Sequence, residues 1–592
     1  MCGVFGYVGK EKNLSKLLLD GISKLEYRGY DSAGIAVFKK GNKPQIYKEV
    51  GELSNLKKTL GNKKIFGEIG IAHTRWATHG GVNKKNAHPH TDCSGRIAVV
   101  HNGIIENYEK IRKNLQSKGH RFLSETDTEV VPHLIEEKLK NKKLGFVEAV
   151  RKSFKELQGL NAIVACSDTE IVAFRKGSPL VAGVGKAGNF ISSDIPGLLS
   201  ETRNLVLIDE KNGVLITKEN IFTVNIKSGK IQKSKPQIVN MEETHFDKGS
   251  FPHFLLKEIY EEPEVVARVA TNNKQEIEKA ISMIKKAWGI YFTACGTAAH
   301  AGLAATYFFS EIASSHVNFV YGSEFPYFQD FLVSKSLLIV ASQSGETMDT
   351  LEAVRAAKKH HSKILALVNV PGSSLSRLSD FNLLLKAGPE RAVLSTKAYI
   401  AKLAVFLLFV YALAKKFKEG INLLKKTSKN MSGMFRDGIN KEMKVLAKKL
   451  VKEKDIYLIG RGVNYATALE GALKIKEASY IHAEGFAGGE LKHGVIALIE
   501  KGTPCIAIVA NDEAKEAILS NATELASRGG FIIGISPAKE EVFDYWIKVP
   551  DVGWASPIVN ILPLQLLAYH LAVFKGYNPD KPRNLAKSVT VK

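Results

Sequence analysis

A strand, a glycine-bearing turn and a helix occur twice in the C-terminal half of the chain. Tyr291 to Ala294 followed by Cys295-Gly296-Thr297 matches Tyr457 to Ile459 followed by Gly460-Arg461-Gly462. The strands ending at Ala341 and Ala510 lie 169 residues apart, and those starting at Ile364 and Phe531 lie 167 apart. Apolar runs that alternate with helical patterns mark parallel strands covered by helices. Self-similarity at a fixed spacing means one structural plan used twice. Two tandem α/β domains are therefore predicted beyond about Lys285.

The N-terminal half reads differently. Short strands such as Ile69 to His73 and Ile97 to Val100 mix with helices over Leu14 to Lys24 and Thr128 to Leu139. A polar stretch from Lys227 to Gly249, with Lys-Ser-Gly-Lys and Lys-Ser-Lys-Pro, reads as a linker, which places a boundary near residue 240. At 592 residues and 45% hydrophobic composition the chain is too long for one core. The longest apolar run, Leu403 to Ala414, lies between Lys402 and Lys415. It falls short of the roughly 20 residues a bilayer requires, so it reads as a buried helix and no membrane partner is predicted.

Five scattered cysteines with no CxxC pair point to a reducing compartment and against disulfides or a thiolate metal cage. The reading therefore includes no metal and no cofactor. The first residues, Met1-Cys2-Gly3-Val4-Phe5-Gly6, lack the basic start and cleavage site of a secretory signal, so a cytoplasmic location is expected. The net charge of +23 is spread over polar helix faces, as at Lys425-Lys426 and Lys448-Lys449, without a basic block or aromatic platform. Nucleic acid is not an expected partner, while a basic surface helps to collect an anionic substrate.

Removal of Met1 would leave Cys2 with a thiol and an amine on one residue. An α-amino group with a pKa of about 7.7–8 serves as a base toward its own thiol near neutral pH. Acyl transfer also needs donors aimed at the developing oxyanion, and Asn102-Gly103 offers a side-chain amide and a backbone N–H. An amino-acid substrate needs a cation for its carboxylate and an anion for its ammonium, and Arg75 and Asp127 supply that pair. In isolation, Asn-Gly is a turn and Asp127 a helix cap.

In the C-terminal half, Ser342-Gln343-Ser344-Gly345-Glu346-Thr347 joins a strand to a helix. Hydroxyls, a glycine and N–H groups at a helix start make a phosphate cradle. It lacks the Gly-Lys-Ser/Thr of a nucleotide loop. The second copy has Asn511-Asp512-Glu513-Ala514-Lys515-Glu516 there, whose carboxylates repel phosphate. That copy instead carries Lys474 and Glu477, three apart on one helical face, and His493. Glu477, His493 and Lys587 are candidates for proton transfer, ring opening and carbonyl capture. Glu477 reads equally as the ion-pair partner of Lys474, His493 as a solvated loop residue and Lys587 as part of a frayed tail.

The stretches Met1 to Gly3, Leu25 to Gly34, His73 to Gly80, His101 to Asn107 and Glu125 to Glu129 resemble N-terminal-nucleophile glutamine amidotransferases. With Ala294 to Thr297, Ser342 to Thr347, Ser395-Thr396-Lys397, Glu490 to Gly494 and the tail Lys581 to Val591, the likeness extends to the glutamine:fructose-6-phosphate amidotransferase family. The resemblance implies an αββα N-terminal-nucleophile sandwich over 1–240 and a connecting segment over 241–284. Two tandem doubly wound sugar-isomerase (SIS) domains over 285–425 and 455–580 would follow, with a closing tail over 581–592. It further implies that Cys2 attacks glutamine, Asn102 and Gly103 form the oxyanion hole, and Arg75, Thr78, His79 and Asp127 hold the amino acid. Trp76 would gate ammonia. Thr297, Ser342, Gln343, Ser344, Thr347, Ser395 and the backbone of Val393 would bind the sugar phosphate. Lys587 would form a Schiff base, Glu477 would move the proton, and His493, from a neighbouring subunit, would open the ring with Lys474 assisting. Ala298, Val82, Asn83 and Val495 depart from the family's usual residues.

Overall fold

The computed structural model describes residues 2–239, 248–271 and 274–589. Residues 1–245 and 246–587 form two compact units. The boundary read near residue 240, like Met1 and the tail residues Thr590 and Val591, lies outside the described residues.

The first unit stacks two antiparallel sheets. One has eight strands in the order Gln237–Ile238, Asn204–Leu207, Val181–Val184, Gly188–Ser192, Gly3–Asn13, Phe66–Arg75, Ser32–Phe38 and Gln45–Val50. The other has seven, running Ile231–Lys233, Ile221–Asn225, Asn212–Ile216, Ile171–Lys176, Asn161–Cys166, Ala98–Gly103 and His90–Thr91. Side chains alternate between the faces of a strand. Val4 and Val8 therefore point between the sheets, to meet Val100, Val164 and Ala173. Phe5 and Tyr7 point outward, against Leu14 and Leu18 of the helix Leu14–Ser23. On the far side, Val131, Ile135 and Phe154 of the helices Val130–Leu139 and Phe146–Glu156 cover Val99, Ile163 and Val172. Helix, sheet, sheet and helix layers result, as the family resemblance implies.

The polar stretch from Lys227 is not wholly linker. Asn225 and Lys230 close a turn with Gly229 at φ 74°, and Ile231–Lys233 and Gln237–Ile238 add edge strands to the two sheets. These strands are exposed, so they carry no apolar alternation by which a sequence reading would find them.

The second unit holds two five-stranded parallel sheets. The first runs Asn318–Tyr321, Gly289–Ala294, Ser336–Ser342, Lys363–Val368 and Phe381–Leu384, and the second His482–Ala487, Asp455–Gly460, Pro504–Ile508, Phe531–Ser536 and Tyr545–Lys548. In each, the second strand in the chain lies outside the first and the third inside it. This is the doubly wound order, whose ligand crevice opens at the carboxyl ends of the first and third strands.

The duplication holds in backbone detail. Gly296 (φ 52°, ψ −131°) and Gly462 (φ 54°, ψ −134°) adopt one conformation, and each opens a 17-residue helix, Thr297–Ala313 or Val463–Ser479. The two helices end at Ser314 and Tyr480, both left-handed. Cys295-Gly296-Thr297 thus corresponds to Arg461-Gly462-Val463, one residue later than the sequence reading aligns it. The positive-φ glycine, not Gly460, sets the register.

Lys397–Leu413 and Ser556–Phe574 are the central helices of this unit. Among the described residues one helix, Gly553–Phe574, is long and apolar enough to cross a membrane. Its apolar window is 89% buried in the protein, so it serves as a core helix.

Candidate active sites of the two units

In the first unit, pairing of Gly3 with Thr74 brings the start of one strand beside the end of another. Cys2 thereby meets Trp76, whose N–H donates to Cys2 Sγ at 3.2 Å. A side chain at Gly3 would lie 2.7 Å from Thr74 Oγ1, so only glycine permits this approach. Burial raises the Cys2 thiol above its ordinary pKa, against the lowering effects of the Trp76 N–H and of Arg75. Forming the thiolate here therefore calls for a base.

Asn102 and Gly103 end the strand Ala98–Gly103. Asn102 Nδ2 donates to the carbonyl of Cys2 at 2.8 Å. Its Oδ1 lies 3.3 Å from His73 Nε2, which also faces the carbonyl of His101 at 3.0 Å. Both partners of Nε2 are acceptors, so that nitrogen carries the proton, and Asn102 is fixed with its amide hydrogens toward Cys2. Burial holds His73 near pKa 3, which keeps it neutral. At Gly103 (φ 141°) a Cβ would lie 2.1 Å from the carbonyl of Leu160.

Arg75 is buried and donates to the carbonyls of His79, Gly80 and Gly81. It shapes the loop after Trp76, and its charge lies inside that loop. Asp127 is also buried, and its Oδ2 accepts from the N–H of Ile105 at 2.8 Å. Thr78 is exposed, with its Oγ1 3.4 Å from His79 Nδ1. His79 packs edge-on against Tyr108, and Trp76 against Tyr30. The sequence reading passes over His73 as a positioning group. Its place two residues before Arg75 in a strand was the available signal.

In the second unit, the first sheet's crevice is bordered by Thr297 and by the loop from Ser342 to Thr347. Ser342 Oγ accepts from the N–H of Gly345 at 3.0 Å and lies 3.1 Å from Thr347 Oγ1. Ser344 Oγ accepts from the N–H of Glu346 at 3.1 Å, and the carbonyl of Gln343 from Asn369 at 3.2 Å. Gly345 has φ 67°, and a Cβ there would lie 2.1 Å from Ser373 Oγ. The loop is wound tightly over the start of the helix Met348–Lys359, with its hydroxyls bonded to its own backbone and to one another.

At the corresponding turn of the second sheet an arginine stands where the first has Cys295. Arg461, next to Gly462, donates from Nε to Asn521 Oδ1 at 3.0 Å, and a Cβ on Gly489 would come within 2.9 Å of its Nη2.

Lys474 joins the two copies. Its buried Nζ donates to Thr297 Oγ1 at 3.0 Å and to Glu477 Oε2 at 2.5 Å, and lies 3.5 Å from Glu470 Oε1. Glu470 also faces His300 Nδ1 at 2.8 Å. Lys587 Nζ donates to Glu390 Oε2 at 2.6 Å, both side chains being buried. Ser395 Oγ reaches the same oxygen at 3.1 Å, and Glu390 Oε1 accepts from the N–H groups of Thr396 and Ala398. Burial would raise the Glu390 pKa, yet the Lys587 charge and these donors hold it below the ordinary carboxylate range. Burial lowers the Lys402 pKa to about 8. The N–H of Val393 is committed to the carbonyl of Asp580 at 3.1 Å. Asp580 in turn caps the helix Phe254–Tyr260 through the N–H groups of Phe254 and Leu255, so the segment leading to Lys587 is anchored rather than frayed.

Lys474, Glu477 and Thr297 are thus brought together, as are Lys587 and Ser395. His493 is not. It is exposed at the end of the 3-10 turn Gly488–His493. Glu390, unmarked in the sequence reading, proves central, and no local pattern around Gly388-Pro389-Glu390 announces it.

A glutamine amidotransferase domain profile matches residues 73–200, and an SIS domain profile matches 283–412 and 449–575. The chain is 43% identical over 600 residues to the glutamine–fructose-6-phosphate aminotransferase (isomerizing) of Pyrococcus horikoshii, covering all of both chains. It belongs to the glutamine–fructose-6-phosphate aminotransferase (isomerizing) family. The aminotransferase of the same name from Clostridium acetobutylicum is also 43% identical, over 619 residues and all of both chains. The second unit is similar to the C-terminal domain of glucosamine-fructose-6-phosphate aminotransferase from Francisella tularensis. That likeness has a TM-score of 0.53 and 35% identity over 57% of this chain and all of that one. The aminotransferase family thus accounts for both units in one chain.

Proposed function

We infer that this chain converts glutamine and fructose 6-phosphate into glutamate and glucosamine 6-phosphate, the entry step of amino-sugar synthesis, as a cytoplasmic homodimer or larger homo-oligomer. The whole-length relationship to aminotransferases of that name carries this reading. With Met1 removed, the Cys2 amine takes the thiol proton, and the thiolate attacks the amide carbon. The oxyanion forms against Asn102 Nδ2 and the N–H of Gly103. Ammonia leaves, and water hydrolyses the thioester to glutamate. Arg75, Thr78, His79 and Asp127 hold the glutamine.

In the second unit, Ser342, Gln343, Ser344 and Thr347 bind the phosphate, while Thr297, Ser395 and the Val393 backbone bind the sugar. His493 of a neighbouring subunit opens the ring, assisted by Lys474. Lys587 passes its proton toward Glu390 and condenses with the C2 carbonyl, releasing water. Ammonia then displaces the lysine, and Glu477 carries a proton from C1 to C2, which leaves an aldehyde at C1 and an amine at C2. The nitrogen travels past Trp76 without entering bulk water, where it would be protonated and diluted.

Incubation with amide-labelled glutamine and fructose 6-phosphate, read by mass spectrometry, tests the reading. Labelled glucosamine 6-phosphate should appear in equal amount to glutamate. Glutamate with only free labelled ammonia, at saturating sugar, would overturn it.

A further inference from the structure

The first unit contains a side-chain cluster that the glutaminase chemistry does not use. Cys93 sits in the turn after the strand His90–Thr91, His120 in the turn after the helix Tyr108–Ser117, and His133 and Glu136 on the helix Val130–Leu139. One ligand atom from each lies within 4.8 Å of all the others. His120 Nδ1 and His133 Nδ1 are 3.0 and 3.4 Å from Glu136 Oε2, and Cys93 Sγ is 3.7 and 3.5 Å from the same two nitrogens.

These four spacings match edges of a tetrahedron, and the other two are no longer than 4.8 Å. With zinc bonds of about 2.0 Å to nitrogen or oxygen and about 2.3 Å to sulfur, neighbouring ligands stand about 3.3 Å apart for N and O and about 3.5 Å apart for N and S. The surroundings carry a second mark of a metal site. A metal-bound histidine hands its other N–H to a carboxylate, which fixes the ring and its tautomer. Here His120 Nε2 lies 3.0 Å from Glu137 Oε2, while the buried His133 Nε2 has no hydrogen-bond partner among the described residues and stands 3.8 Å from Glu129 Oε1. Both imidazoles turn Nδ1 inward, and His120 is backed through Nε2 by an outer acid.

The scaffold is also set in advance. Asp92 accepts from the N–H groups of Arg96 and Ile97, each at 2.8 Å, which holds the turn that presents Cys93. Cys93 Sγ accepts from the N–H of Arg121 at 3.5 Å, as a thiolate ligand does, and the N–H of Cys93 donates to Glu136 Oε2 at 3.1 Å. Both imidazoles are buried while Cys93 is exposed, which gives an ion a path in.

We propose that Cys93, His120, His133 and Glu136 bind one zinc ion in a closed, structural site of the glutaminase unit. One thiolate and one carboxylate balance the dication, and four protein ligands leave no position for substrate, so the ion is a clamp and not a reagent. It ties two turns to one helix. Glu129, behind His133, also accepts from the N–H groups of Leu123 and Ser124 at 2.7 Å, so the clamp bears on the segment that carries Asp127. The site departs from the expectation of no thiolate metal centre, because its ligands come from three separate elements and leave no CxxC signature.

The full chain, treated with chelator, reloaded with zinc and desalted, should retain one zinc per chain by elemental mass spectrometry. Cobalt(II) should give the intense visible bands of a tetrahedral ion and a near-ultraviolet thiolate band, the latter absent in Cys93→Ser. Glu137→Gln should bind zinc about 10–100-fold more weakly while keeping the cobalt spectrum. Alkylation with peptide mapping needs no variant: Cys93 should react in the zinc-free protein and be protected in the loaded one. Zinc lost on desalting, a weak six-coordinate cobalt spectrum, or equal alkylation in both forms would overturn the proposal. None of these readouts depends on turnover.

Discussion

Asn102 shows how one buried contact chooses between two roles of a side chain. His73 occupies the oxygen end of its amide, so the nitrogen end faces Cys2. Asn102→Ala should lower glutaminase kcat by about 10²–10³-fold, with a much smaller change in KM, as for loss of one oxyanion donor. Steady-state release of glutamate measures it. In the second unit, Lys587 and Glu390 are almost fully shielded from water. Removing one charge of such a pair strands the other, so Glu390→Gln should destabilise the second unit by about 3–5 kcal/mol. Denaturant unfolding followed by a probe in that unit would detect the loss, and an unchanged midpoint would contradict the pairing.

Among the elements, the strands ending at Arg75 and Gly103 and the short strand His90–Thr91 assemble a buried group of histidines: His73, His88, His90 and His101. His73 stacks on His88 at 4.1 Å. Burial depresses the pKa of all four, that of His73 to about 3. Their unfolded value is about 6.5, so below it the unfolded chain binds more protons than the folded one. Stability is therefore fully present above pH 6.5 and falls as pH drops, by about 1.4 kcal/mol per pH unit for each histidine that stays neutral. Calorimetry of the first unfolding transition between pH 7 and pH 5 should show a steep decline. A flat profile would mean that these rings are not held neutral.

The elements that carry the repeat were legible in the sequence because both faces of their sheets are covered, so that apolar runs stand out against helical spacing. The edge strands after Lys227 were not, since nothing is buried on them. At the sites, residues inside local signatures, such as Cys2, Asn102 and the Ser342 to Thr347 loop, could be singled out. Glu390, Glu470 and His300 matter through contacts across long stretches of sequence, which no local pattern encodes. Arg75 was legible as a cation, but not its engagement with the carbonyls of its own loop.

At the scale of the whole molecule, two chemistries share one chain, and each should feel the other. Fructose 6-phosphate should raise glutamine turnover, and equal rates with and without sugar would argue against coupling. His493 stands exposed in a chain where Lys474 and Glu477 are buried or half-buried together. Co-assembly of His493→Ala chains with Lys587→Ala chains should therefore recover part of the synthase activity that each lacks alone. If the mixture stays inactive, ring opening is not supplied in trans.

The arginine beside Gly462 makes the duplicated half an uneven pair. A doubled fold begins with two equivalent turns, and here one of them carries a guanidinium tied to Asn521 while its following loop holds carboxylates instead of hydroxyls. Titration calorimetry with fructose 6-phosphate should accordingly saturate at a single molecule per polypeptide, since the acidic loop of the second copy turns an anion away.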